Sequence, residues 1–258
     1  MKKLLIVLLV FSCINVSAQE FTMKPKGRTT ELTVEIQNVF SDLVIQGNST
    51  GEIKILTEDY EGTPSRAAGL RPLSAPGPDN SGVGMYIDQK GDTVTIYGAH
   101  RNRQNSDYNI SLPADIKLRI NYGGFRSNDI IIRGMHNDVE IRSQVGDLVF
   151  EDVTGPIIAS TVSSDIQLVF SSLNQLSPTS ITSVSGDVDI TLPEDSKADF
   201  YMSSVSGEIY TNLDFEVTRS KKQQWYGGGM AASSRLNGGG VEFTVKTVSG
   251  DIYIRKAD

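Results

Sequence analysis

Three near-copies of one heptapeptide set a carboxylate beside a glycine: Val184-Ser185-Gly186-Asp187-Val188-Asp189-Ile190, Val205-Ser206-Gly207-Glu208-Ile209-Tyr210-Thr211 and Val248-Ser249-Gly250-Asp251-Ile252-Tyr253-Ile254. Recurring acids of this kind admit two chemistries. A ladder of carboxylates can hold calcium, but calcium-binding β-rolls need tandem Gly pairs with an Asp in each nonapeptide, and no segment supplies them. The other chemistry is that of a turn. The Gly takes a positive φ, the Ser hydroxyl bonds backbone groups left unpaired by the bend, and the acid accepts from neighbouring amides or stays in water. The heptapeptides therefore read as corners, with no metal site.

Other groups offer little to a catalyst. Glu140, Asp189 and the adjacent Glu151 and Asp152 are carboxylates of the kind that glycoside chemistry pairs, yet a repeat places acids in rows without any catalytic need. His100 and His136 stand at no metal-ligand or triad spacing. The chain reads as non-enzymatic, with no cofactor. The candidate binding residues are Trp225 and Tyr226, an aromatic pair in the polar, glycine-rich, locally basic stretch 219–240. Such a pair flanked by donors suits a sugar or protein contact; it can equally fold back over an open end of the fold.

The elements that position these groups follow from spacing. Asp129, Asp138, Asp147, Pro156 and Asp165 occupy equivalent corners nine residues apart. After each corner the first and third residues are apolar, as in Ile130 and Ile132, Val139 and Ile141, Leu148 and Phe150, Ile166 and Leu168. The residue between varies. That is a strand with one face in a core and one in water. Units this short cannot bury an apolar face alone and must stack on neighbours. The spacing predicts an all-β fold, a β-solenoid resembling a parallel β-helix, with two or more short strands in coils of about 18 to 22 residues. A β-sandwich of short antiparallel strands is the alternative. Glu208 and Asp251 are 43 apart, which reads as two further units. Upstream, alternating strands are expected around 32–36, 43–45, 53–56, 85–87, 93–97, 109–113 and 116–120. Residues 61–84, rich in Gly and Pro, read as an irregular surface loop, as does 219–240. Open solenoid ends carry unpaired edges, so capping or end-to-end association is expected.

Met1-Lys2-Lys3, the apolar run Leu4 to Phe11, and Val16-Ser17-Ala18 form an export signal cleaved after Ala18. Lipidation at Cys13 is the competing reading, poorly matched by Phe11. The domain reading is thus a signal over 1–18 and one β-strand-repeat domain over 19–258. Losing Lys2 and Lys3 leaves 22 basic against 31 acidic side chains, a formal charge of −9. Polyanionic partners, nucleic acid among them, are disfavoured. No later apolar run reaches spanning length, and without Cys13 no disulfide is available.

The run Leu236-Asn237-Gly238-Gly239-Gly240-Val241, then Thr247-Val248-Ser249-Gly250-Asp251-Ile252-Tyr253-Ile254-Arg255-Lys256, with the earlier Ser-Gly-acid repeats and Ser111-Leu112-Pro113, resembles a bacterial putative adhesin domain family of β-strand-repeat proteins of unknown function. The resemblance covers roughly Glu31 to the C-terminus; the loop at 61–84 departs from it. It implies an exported, solenoid-like protein of the cell envelope, periplasmic, surface-bound or secreted, and carries over no catalytic residues. The expected function is adhesion or assembly through a protein or glycan at the envelope. A periplasmic envelope-sensing scaffold, or a polysaccharide lyase or hydrolase on a β-helix, are the alternatives.

Overall fold

The computed structural model describes residues 19–58, 60–70, 72–99, 107–123, 128–222 and 229–257, with the backbone alone for 217–222. The export-signal reading, Cys13 included, lies outside these residues. Alternation of β-branched and polar residues yields 21 strands among them. The N-terminal part holds β1 (Gln19–Met23), β2 (Thr33–Gln37), β3 (Leu43–Asn48), β4 (Ile53–Thr57), β5 (Met85–Lys90), β6 (Thr93–Gly98), β7 (Tyr108–Pro113) and β8 (Lys117–Tyr122). The repeat region holds β9 (Ile130–Arg133), β10 (Val139–Val145), β11 (Leu148–Glu151), β12 (Ile157–Ser163), β13 (Ile166–Val169), β14 (Thr179–Ser185) and β15 (Val188–Leu192). The chain ends in β16 (Ala198–Ser204), β17 (Ile209–Thr211), β18 (Phe215–Lys222), β19 (Met230–Leu236), β20 (Val241–Ser249) and β21 (Ile252–Lys256).

Successive repeat strands alternate between two sheets, so each coil contributes one strand to each. Ten strands form the first sheet, in the order β1-β4-β7-β3-β9-β11-β13-β15-β21-β17, and eleven the second, β18-β19-β16-β20-β14-β12-β10-β8-β2-β6-β5. Within the repeat all pairing is parallel: Ile130 lies beside Leu148, Leu148 beside Ile166, and Ile166 beside Val188. Inward residues of equivalent position thus stack in columns, and Ile132, Phe150, Leu168, Ile190 and Ile254 are all buried. Each such side chain contributes roughly 1.5–3 kcal/mol of hydrophobic stabilisation. The fold is the solenoid that the nine-residue phase predicts, and the phase has a simple origin: corners at 129, 147 and 165 feed the first sheet, those at 138 and 156 the second.

Coil order departs from chain order at both ends. The last coil, β20–β21, does not stack outermost; β21 lies between β15 and β17, and β20 between β14 and β16. The expectation of two further units after Glu208 is therefore corrected, because the final coil returns to a slot already flanked. At the other end the first coil, β2–β3, is likewise inserted between β8–β9 and β6–β7. The glycine run explains how β20 reaches its place. β19 and β20 flank β16, and Asn237 to Gly240 carry the chain across its start, with Asn237 donating from Nδ2 to the carbonyls of Glu194 and Ser196. A Cβ on Gly240 would stand 2.7 Å from the Lys197 carbonyl oxygen, so only glycine passes there.

Antiparallel strands close most of the ends: β4, β1 and β5 at the N-terminal end, β19 and β18 at the other. β19 forms inside the stretch 219–240 that reads as loop. Its residues, Met230-Ala-Ala-Ser-Ser-Arg-Leu236, have little intrinsic strand preference, and pairing with β16 imposes the conformation. Among the described residues, 61–84 do lack strands, with one 3₁₀ turn at Ser65–Ala67. Asp79 ties the end of that loop down: its carboxylate accepts from the Ser81, Gly82 and Gly84 amides and from the Ser81 and Tyr60 hydroxyls. Burial pushes this carboxyl up, but the bonds outweigh it and hold it below the ordinary aspartate value.

Candidate interaction surface on the first sheet

The corner acids form a continuous hydrogen-bonded ladder. An Oδ1 of Asp42 accepts from the Asp129 amide at 2.9 Å, Asp129 from Asp147 at 3.2 Å, and Asp147 from Asp165 at 3.0 Å. Asp165 accepts from Asp187, Asp187 from Asp251, and Asp251 from Glu208, each at 2.8 Å. Each corner carbonyl accepts in return from the residue after the preceding corner, as Asp165 does from Leu148 and Asp187 from Ile166. A carboxylate thereby supplies the acceptor that the backbone lacks where it leaves one sheet for the other. Among the described residues no cluster of acids and histidines forms a metal-holding group.

The glycines of the motif are required by approach, and at Gly186 and Gly250, though not at Gly207, by a positive φ as well. Gly186 has φ +120°, and a Cβ there would lie 2.0 Å from the Ser164 carbonyl oxygen. A Cβ on Gly207 would lie 2.1 Å from that of Gly250. One part of the turn chemistry needs correcting. Ser185, Ser206 and Ser249 stand exposed. The hydroxyls that close the bend sit two residues earlier, inside the core: Ser183 donates to the Ser185 carbonyl, and Ser204 and Thr247 both donate to that of Gly250. The cause is strand parity, which turns those positions inward.

On this frame the outward residues two places past the corner form a row in space: Ile131, Val149, Gln167, Asp189, Tyr253 and Tyr210. At its C-terminal end the Tyr210 and Tyr253 rings stack with centroids 5.3 Å apart and planes 13° from parallel. Arg255 packs its guanidinium 5.2 Å from the Tyr253 centroid and donates from Nε to both oxygens of Asp189, at 2.9 and 3.0 Å. That bond raises the Arg255 pKa further, so the charge is permanent. The Tyr253 hydroxyl donates to Asp251 Oδ2 at 3.1 Å, which pushes its pKa up. Beside the rings runs an open groove of about 350 Å³, lined by Asp147, Asp165, Gln167, Asp189 and Tyr253 among others. Aromatic faces, a fixed cation and a carboxylate row at this spacing suit recognition of a peptide or sugar surface.

The acids singled out from sequence are otherwise engaged. Glu140 bridges Arg119 and Arg142 at 3.3 and 2.9 Å on the second sheet, Glu151 pairs with Arg133, and Asp152 accepts from the Ser171 hydroxyl. His136 faces Asp115 at 3.2 Å on the surface. The structure brings none of these together with Asp189. Trp225 and Tyr226, like His100, lie outside the described residues. The sequence reading missed Tyr210, Tyr253 and Arg255. Their signal was present in two aromatics at the same outward phase, but that phase varies freely elsewhere.

No curated protein matches this chain. Two crystal structures align over 93% of it. One is of a putative cell adhesion protein from Clostridium sporogenes ATCC 15579, 15% identical, fully covered, with a TM-score of 0.47. The other is of a putative adhesin from Bacteroides fragilis NCTC 9343, 12% identical, 97% covered, with a TM-score of 0.40. A family profile described as Toastrack DUF4097 matches residues 125–255, the span of the corner ladder from Asp129 onward. The chain belongs to this Toastrack family.

Proposed function

We propose that this protein is a non-enzymatic interaction module of the adhesin type, exported by its N-terminal signal and docking a protein or glycan at the bacterial envelope. The observation that supports this reading is the outward Tyr210–Tyr253–Arg255–Asp189 constellation, held on a frame whose acids are spent on backbone bonds. Each ladder carboxylate from Asp42 to Asp251 accepts a backbone amide and so fixes coil to coil. The aromatic pair Trp225 and Tyr226 is a second contact on the same proposal.

The test is capture of envelope proteins and glycans by purified residues 19–258, comparing wild type with Tyr253→Ala, Arg255→Ala, Trp225→Ala and Tyr226→Ala. Loss of the captured partner in the first two variants supports the first-sheet surface. Capture that survives all four removes both surfaces. Mass spectrometry of the protein from the envelope fraction checks export, with an N-terminus at Gln19 expected.

A further inference from the structure

The end of the first sheet is unfinished. At the C-terminal end the second sheet continues past β16 through β19 and β18, whereas the first stops at β17. In the parallel pairing of β17 with β21, the Ile252 amide donates to the Glu208 carbonyl. Alternate residues of a parallel strand bond to opposite sides, so the N–H and C=O groups of Ile209 and Thr211 point away from β21. Among the described residues no strand meets them.

Two side-chain ladders stop at the same edge. Glu208 ends the corner series: its amide donates to Asp251, but among the described residues nothing donates to its own carboxylate. Tyr210 ends the aromatic stack, with one ring face on Tyr253 and 49% of the residue exposed. Backbone, carboxylate and ring are thus offered together, in the arrangement in which β21 presents Asp251 and Tyr253 to β17.

We propose that the β17 edge takes up an extended peptide segment of a partner protein as a further parallel strand. The segment's corner amide meets the Glu208 carboxylate, and an aromatic residue two places later lies on Tyr210. Main-chain bonds to an exposed edge are a general mode of peptide capture, with alternate side chains giving selectivity. Asp187, Asp251 and Glu208 bring negative charge to the corner, which favours a segment basic at its N-terminal end. This rests on the interaction reading above and narrows it to a partner class.

The test uses residues 19–258 and a labelled synthetic peptide, Lys-Ser-Gly-Asp-Ile-Tyr-Ile-Arg, patterned on the strand that already pairs with β17. Binding is read by fluorescence polarisation against a scrambled peptide. Thr211→Pro removes one outward N–H and leaves the β21 bonds in place; it should lower affinity at least about tenfold. Tyr210→Ser and Glu208→Lys, both at exposed positions, should each weaken binding severalfold. Melting curves check that each variant folds. Absence of binding, equal binding of the scrambled peptide, or indifference to Thr211→Pro overturns the proposal. It is also overturned if the wild type self-associates without peptide and Thr211→Pro makes it monomeric, since the occupant is then a second copy. Capture of an envelope partner that depends on Tyr253 and Arg255 but not on Thr211 would leave the broader reading standing and sink this one.

Discussion

Asp187 Oδ1 accepts from the amide of Asp251 at 2.8 Å, across 64 residues of chain. Between them in sequence lie a complete coil and an antiparallel pair; in space they are adjacent rungs. The bond is one of six like it, so the corner acids act as backbone surrogates. Asp187→Asn keeps the acceptor and should stay within about 0.5 kcal/mol of wild type in urea denaturation. Asp187→Ala strands an amide at a partly solvated corner and should cost about 1 kcal/mol. Because each corner carboxylate from Asp42 to Asp251 already has a donor, millimolar calcium should leave the melting temperature unchanged. A calcium-dependent rise would restore the metal reading.

Gly186 and Gly91 both have positive φ, +120° and +57°, but only Gly186 faces a wall. Alanine at 91 meets nothing within 4 Å, and its cost should be the conformational one, about 1 kcal/mol. At 186 the new methyl would stand 2.0 Å from the Ser164 carbonyl oxygen, so either the coil spacing opens or the corner refolds. Gly186→Ala should therefore cost at least ~3 kcal/mol. Equal melting temperatures for the two variants would show that close coil approach does not restrain this corner.

How much of this was readable beforehand depended on locality. Ile130, Leu148 and Ile166 announce their columns because parity and a fixed corner phase are local facts. The slot of β21 is not local: Ile252 suits Val188 on one side and Ile209 on the other equally well, and the 43-residue interval to Glu208 fits two coils as readily as one inserted. Only the crossing of Asn237 to Gly240 over β16 selects the slot. β19 was hidden because alanine and serine carry no alternation. The Tyr210–Tyr253 stack was hidden by that same uncertainty, since two tyrosines 43 positions apart become neighbours only once the coil order is known.

Asp79 gives the long loop a pH dependence. Its folded pKa is held below the ordinary aspartate value, so its stabilisation is complete above that ordinary value and is lost as pH falls through the lower, folded one. With five donors converging on one carboxylate, Asp79→Ala should cost about 2 kcal/mol at neutral pH. The gap between variant and wild type should close on acidification. A gap independent of pH down to strongly acid conditions would mean that the carboxylate charge contributes nothing.

The inserted last coil makes a distinctive demand on truncation. If β20–β21 stacked outermost, deleting 241–258 would fray one end and leave the remaining coils intact. Inserted, it supplies Phe243, Val245, Ile252 and Ile254 to the middle of the core, and it is the link between β15 and β17 and between β14 and β16. Four such side chains are worth roughly 6–12 kcal/mol, comparable to the whole stability of a domain. The truncated chain should lose its cooperative melt, and residues 198–240 should become sensitive to brief proteolysis, since β16 to β19 then have no strand partner in the repeat. A cooperative transition within a few degrees of wild type, with 198–240 still protected, would show that the coil is dispensable and that its insertion does not hold the two parts together.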